Sequence, residues 1–101
     1  MISGLNHITL AVNDIEESFH FYVEALGLKP IQKNPISAYL LAGDLWVALQ
    51  KDENSRTEAL PEYTHIAFTV AKQHFQHMAK QIIEFGVKEW QTNSSEGDAP
   101  F

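Results

Sequence analysis

The stretch His7-Ile8-Thr9-Leu10-Ala11-Val12 returns in altered form as His65-Ile66-Ala67-Phe68-Thr69-Val70. Both stretches alternate their apolar side chains with a period of two, which is typical of a half-buried β-strand. Each is followed by an amphipathic helical pattern that ends at a glycine, Gly27 in the first copy and Gly86 in the second. A strand–helix–strand order that occurs twice at this spacing predicts two related modules.

The first copy carries a signal for every element of a module. Asp14 is a good helix N-cap, and Glu17 follows at capping-box spacing. The apolar stripe of the predicted helix consists of Ile15, Phe19, Tyr22, Val23 and Leu26. Beyond Gly27, residues 38–41 and 45–50 have the pattern of hairpin strands around the turn Ala42-Gly43-Asp44. The predicted order of this module is βαβββ.

The second copy repeats the helix, but not the hairpin. Its apolar stripe consists of Phe75, Met78, Ala79, Ile82 and Ile83. Only 15 residues follow Gly86, and residues 92–98 are loop-like, so we expect the closing hairpin to be missing. We therefore predict an α+β fold of paired βαβββ modules, with the second module truncated before its last hairpin. The chain would be one domain, 1–101, with module one at 4–51, a linker at 52–62 and an incomplete module two at 63–101.

Composition excludes several classes of function. The formal net charge is −6, with only seven Lys and Arg residues, which argues against nucleic acid or an anionic membrane as a partner. No apolar run is long enough to span a membrane, and no secretory signal pattern opens the chain, so we predict a cytoplasmic protein. Cysteine is absent, which excludes disulfides and a cysteine nucleophile. A reaction that needs a thiol must receive it from a substrate.

Two histidines are the main candidates for chemistry. His7 and His65 open the two repeated strands, and pairing of these strands would turn both imidazoles toward one cavity, which suits a divalent metal. Thr9 shares a strand face with His7, although a threonine also simply suits a strand. Tyr39 and Trp46 lie on the hairpin, where packing and lining of a pocket are equally good interpretations.

Three segments, residues 4–12, 63–68 and 86–98, resemble the FosA-type fosfomycin-resistance enzymes of the vicinal-oxygen-chelate superfamily, which also contains glyoxalases, bleomycin-resistance proteins and dioxygenases. The narrowest match is Glu96-Gly97-Asp98 following Glu89-Trp90, and the resemblance extends over the whole chain. It implies a manganese-dependent enzyme, a cytoplasmic homodimer, that adds the thiol of glutathione to an oxirane carbon of fosfomycin.

The resemblance also implies roles for particular residues. The histidine ligands of the metal match His7 and His65, and a threonine that contacts the antibiotic in catalysis matches Thr9. The residues matching the substrate pocket are Tyr39, Trp46 and Ser95. The residues matching a loop that binds potassium are Asn93, Ser95, Glu96 and Gly97.

Departures from the family pattern leave other functions open. Gln91 replaces a lysine, and Ala99 and Phe101 replace a serine and a tyrosine. The glutamate ligand and an arginine of the family have no counterpart within these 101 residues, so we expect weak or absent activity from them. The alternatives are a glyoxalase-like isomerase, an iron-dependent dioxygenase, a hydrolase that opens the epoxide with water, a metal-free drug-binding protein and a non-catalytic remnant.

Overall fold

A computed structural model describes residues 1–54 and 65–86 of the chain, which divides into two units, Met1–Ala59 and Leu60–Phe101. Strands and helices are combined as predicted for an α+β protein. Part of the predicted linker, 52–62, lies outside the described residues, and the single-domain boundaries stay a prediction. Neither α-helix in the described ranges has the length and apolar character needed to cross a bilayer.

The first unit contains one four-stranded sheet. Its strands are β1 (His7–Val12), β2 (Lys29–Lys33), β3 (Ser37–Ala42) and β4 (Leu45–Lys51). They lie side by side in the order β1-β4-β3-β2, with β1 parallel to β4 and the other pairs antiparallel. Gly43, with φ of 62°, forms the tight turn between β3 and β4, because glycine enters this left-handed region without a steric cost. The βαβββ order of module one is thereby confirmed.

The helix of the first unit begins as predicted and then changes from α-helical to π-helical hydrogen bonding. The Asp14 carboxylate accepts a hydrogen bond from the backbone N–H of Glu17 at 3.1 Å and caps α1 (Ile15–His20). The helix continues as a π-helical turn (Phe21–Ala25), in which the N–H of Leu26 donates to the carbonyl of Phe21. This turn corrects the prediction of an uninterrupted α-helical stripe.

The wider turn changes which side chains are buried. A π turn adds one residue and rotates the following side chains around the helix axis. Ala25, which the predicted α-helical pattern left out, is fully buried, whereas the predicted Tyr22 and Leu26 are only half-buried. The helix still ends at Gly27, whose φ of 74° is the left-handed conformation expected of a C-terminal glycine.

One face of the sheet forms the core, and α1 packs against β3 and β4 on that side. Four fully buried side chains hold the centre of the sheet: Ala38, Leu40, Val47 and Leu49. Leu40 lies opposite Val47, and Ala38 lies opposite Leu49, so the buried side chains form two cross-strand pairs. Because side chains alternate along a strand, the other face carries His7, Thr9, Tyr39 and Trp46.

The second unit contains α2 (Lys72–Phe85), which ends at Gly86 with φ of 112°. The helix and its glycine stop are confirmed. The predicted apolar stripe is corrected at one position, because Ile82 is 2% exposed but Ile83 is 46% exposed. Neighbouring helical positions differ by about 100°, so both isoleucines cannot lie at the centre of one buried stripe.

Residues 65–70, which were predicted to form a strand, do not pair as a strand with any other residue in the part of the chain that the structure describes. Only Phe68 in this segment is even half-buried, and Ile66 is 41% exposed. A β-strand is stable only when its backbone N–H and C=O groups form hydrogen bonds with an adjacent strand. In the first unit that neighbour of β1 is β4, the last strand of the module. The corresponding part of the second module would follow α2, and residues 87–101 lie outside those described.

Candidate functional site

The register of the sheet places three predicted site residues next to one another. His7 on β1 is directly opposite Trp46 on β4, and Tyr39 on β3 is directly opposite Ala48 on β4. Trp46 and Ala48 are two residues apart on one strand and therefore project from the same face. The side chains of His7, Tyr39 and Trp46 consequently share the face of the sheet that α1 does not cover.

A concavity of about 390 Å³ lies on this face. Its lining consists of Asn6, His7, Tyr39, Trp46 and Ala48. Tyr39 and Trp46 are each 40% exposed, which leaves much of two large aromatic side chains open to a ligand. Ala48 contributes only a methyl group between them, so the small side chain keeps the concavity open.

The remaining predicted site residues are not part of this lining. Thr9 is exposed on the same face, opposite Ala48, and lies two residues beyond His7 on β1. His65 is an exposed residue of the second unit, and its meeting with His7 in one cavity stays a prediction. The predicted loop residues Asn93, Ser95, Glu96 and Gly97 lie outside the described residues.

Asn6 is a lining residue that sequence reasoning missed. Its side-chain Oδ1 lies 2.8 Å from Nδ1 of His7. An amide oxygen only accepts, so the tautomer of a neutral imidazole that fits this contact has its proton on Nδ1 and a lone pair on Nε2. The sequence did contain a signal for this contact, because Asn6 carries an amide side chain and directly precedes His7, the first residue of β1. Ala48 could also have been inferred, since it follows Trp46 by two positions on the same strand.

The donor chemistry fits one ligand of a first-row divalent metal. A neutral imidazole with one nitrogen free and the other donating to an oxygen is the usual state of a metal-binding histidine. Within residues 1–54 and 65–86, however, no group of three or more His, Asp and Glu side chains comes together. The lining of the concavity also contains no charged side chain. His7, with its hydrogen bond to Asn6, is therefore suited to supply one ligand of a metal site.

A second concavity of about 490 Å³ lies at the other end of β1 and contains none of the predicted site residues. Its lining is made of Asn13, Asp14, Ile15, Glu16, Lys33, Asn34, Pro35 and Lys51. Lys33 and Glu16 form an ion pair at 2.9 Å there, so their charges largely compensate each other.

Burial raises the pKa of Tyr22, which lies on the π turn and lines neither concavity.

Comparison with known proteins gives one family and a consistent group of relatives. The model of the glyoxalase/bleomycin resistance protein/dioxygenase superfamily matches residues 4–99. A glutathione transferase FosA from Serratia marcescens is 44% identical over 100 residues, which are 96% of this chain and 70% of that protein. A metallothiol transferase FosB from Staphylococcus haemolyticus is 42% identical over 77 residues, which are 75% of this chain and 55% of that protein.

A solved structure supports the same grouping. The fosfomycin resistance protein FosX from Listeria monocytogenes, complexed with Mn(II) and sulfate, has a TM-score of 0.76 and 28% sequence identity. The similarity covers 90% of this chain and 70% of the FosX chain. The matched part of this chain thus spans between 55% and 70% of the length of these relatives.

Proposed function

Because this chain belongs to the glyoxalase/bleomycin resistance protein/dioxygenase superfamily, we propose that it acts in fosfomycin resistance, as a metal-dependent transferase that adds the thiol of glutathione to the antibiotic. The observation that carries the proposal is the concavity that joins His7, Tyr39 and Trp46 on one face of the sheet. The identity of 44% with a glutathione transferase FosA supports the choice of reaction.

The proposed reaction opens a strained three-membered ring. The sulfur of glutathione forms a bond to an oxirane carbon, and the bond from that carbon to oxygen breaks. The oxygen ends as a hydroxyl group that carries the proton released by the thiol. A bound divalent metal, proposed to be manganese, would supply Lewis-acid stabilisation of the charge that develops on this oxygen.

The residues of the chain would hold and orient the reactants. Nε2 of His7 is the proposed metal ligand on the first unit, and His65 the proposed ligand on the second. The Thr9 hydroxyl, which projects from the same face as His7, would contact the antibiotic. Tyr39 and Trp46 would pack against the carbon skeleton and exclude water from the reacting carbon. We also propose that Ser95 contacts the substrate and that Asn93, Ser95, Glu96 and Gly97 bind a potassium ion.

A thiol from outside the chain agrees with the composition, because the sequence has no cysteine. Glutathione is favoured over another thiol by the FosA relative, which covers more of this chain than the FosB relative. Opening of the ring by water is the second candidate. It is supported by a structure of a mutant FosX from Listeria monocytogenes, which has a TM-score of 0.76 and is complexed with Mn(II) and 1S,2S-dihydroxypropylphosphonic acid, a diol of the kind that ring opening by water produces.

We further propose a homodimer in the cytoplasm. β1 is an edge strand, and no described strand pairs with its outer side. A long unpaired edge is an efficient template for another strand, so pairing with a second copy would remove this exposure. A cytoplasmic setting would supply a reduced thiol cosubstrate.

The test is conversion of fosfomycin by the full chain, followed by ³¹P NMR with manganese and glutathione, with manganese alone, and without metal. We expect a weak new phosphonate signal only with both additions, because several family residues are replaced or lack a counterpart, and we expect its loss in His7→Ala. The control is His20→Ala, an exposed histidine on α1, which packs on the opposite side of the sheet. A signal that appears without thiol would establish hydration instead. No conversion under any condition would overturn both candidates.

A further inference from the structure

We propose that Asn6 is a positioning residue, which fixes the tautomer of His7 so that Nε2 faces the concavity as the metal-binding nitrogen. The inference deepens the proposed function, since it rests on His7 as a ligand. The Oδ1 atom of Asn6 lies 2.8 Å from Nδ1 of His7, a distance typical of a short N–H···O hydrogen bond.

The chemistry of the two groups sets the direction of this bond. A neutral imidazole carries one proton on one of its two nitrogens, and an amide oxygen has no proton to give. The Asn6–His7 contact therefore stabilises the tautomer with the proton on Nδ1. The lone pair that a metal needs is then on Nε2, the nitrogen without this partner.

Asn6 is itself held in place by the sheet. Its backbone carbonyl accepts a hydrogen bond from the N–H of Trp46 at 3.3 Å, which extends the β1–β4 pairing by one residue beyond His7. The same residue thus joins the backbone of β4 to the imidazole of β1. Both Trp46 and His7 line the concavity, so the two hydrogen bonds of Asn6 help to hold these two residues in place relative to each other.

Loss of the side-chain acceptor would act first on His7, and it would also change one side chain that lines the concavity. Substitution of Asn6 leaves the backbone carbonyl and its bond from Trp46 in place, but it frees the ring to rotate and to exchange its proton. Partners that orient metal-binding histidines typically contribute about 10- to 100-fold to metal affinity. We expect Asn6→Leu to weaken manganese binding by this factor. Asn6→Asp retains an acceptor at the same place and should keep the affinity close to that of the parent chain.

The first experiment measures the tautomer in the metal-free full chain. Long-range ¹H–¹⁵N NMR at a pH where imidazoles are neutral distinguishes the two ring nitrogens, and His7→Gln assigns the signals of His7. We expect a protonated Nδ1 in the parent chain and in Asn6→Asp, and loss of this preference in Asn6→Leu. Asn13→Leu, a change of an exposed asparagine just beyond β1, is the matched control and should leave the pattern of His7 unchanged.

The outcomes separate this inference from the proposed function. A proton on Nε2 of His7 in the parent chain, or a protonated Nδ1 that persists in Asn6→Leu, would overturn the inference. Manganese affinity, measured by electron paramagnetic resonance on the same variants, gives the second readout. A correct tautomer pattern with no manganese binding in the parent chain would overturn the proposed function and leave the role of Asn6 toward the ring intact. Equal manganese affinity in Asn6→Leu and the parent chain would overturn the role of Asn6 in metal binding.

Discussion

Replacement of Leu40 by alanine tests which face of the sheet forms the core. Leu40 is 0% exposed and lies opposite Val47, which is also 0% exposed. The change removes three carbon atoms, worth about 0.8 kcal/mol each in transfer free energy, and leaves a cavity in addition. We expect a loss of about 2–5 kcal/mol in the free energy of unfolding. For a chain of this size, total stability is on the order of 5–15 kcal/mol.

The matched control is Leu41→Ala on the same strand. Leu41 lies opposite Trp46 and projects from the other face, where it is half-buried. Urea unfolding followed by circular dichroism gives both values in one series, and the Leu40→Ala midpoint should fall by roughly 1–2 M. Leu41→Ala should move it less, because less apolar area is lost. A Leu41→Ala loss equal to or larger than that of Leu40→Ala would refute the assignment of faces and, with it, the placement of the concavity.

Three further changes test the site and its surroundings. Ala48→Leu should fill part of the 390 Å³ concavity and weaken fosfomycin binding by about 10-fold or more, measured by calorimetry with manganese present; unchanged affinity would show that the ligand binds elsewhere. Lys33→Met removes an exposed ion pair with Glu16 and a cation–π contact 5.1 Å from the centre of the Phe19 ring, so the unfolding free energy should fall by no more than about 1 kcal/mol. A larger fall would mean that this pair holds α1 on the sheet. Burial raises the pKa of Tyr22, so the unfolded chain releases this proton first and stability should fall above about pH 10; Tyr22→Phe should reduce that fall in thermal melts, and an identical alkaline slope would contradict the assignment.

Local signals in the sequence predicted most of the first unit. Alternation over His7–Val12, the Asp14 cap and the glycines that end the helices each depend on a few neighbouring residues, and each is found where it was predicted. The grouping of His7 with Tyr39 and Trp46 followed from resemblance, and the pairing of β1 with β4 supplies its physical basis.

What the sequence did not predict depends on contacts distant in the chain. The π turn at Phe21–Ala25 follows no local breaker such as proline, and Ala25 within it is fully buried although the predicted apolar stripe did not include it. Alternation over residues 65–70 predicted a strand, but a pattern supplies no hydrogen-bonding partner. The role of Asn6 depends on where its amide points, which spacing alone does not determine.

The parallel pairing of β1 with β4 has a consequence for how the unit folds. β2, β3 and β4 pair with strands that follow one another in the chain and are joined by short turns. β1 instead pairs with β4, the last strand of the unit, so residue 7 lies beside residue 46. Closing this long loop costs chain entropy before any contact compensates it, so non-local pairs of this kind form slowly. A partly folded chain would then hold the two aromatic side chains of β3 and β4 without the histidine. The concavity would be assembled only in the last step, when β1 docks.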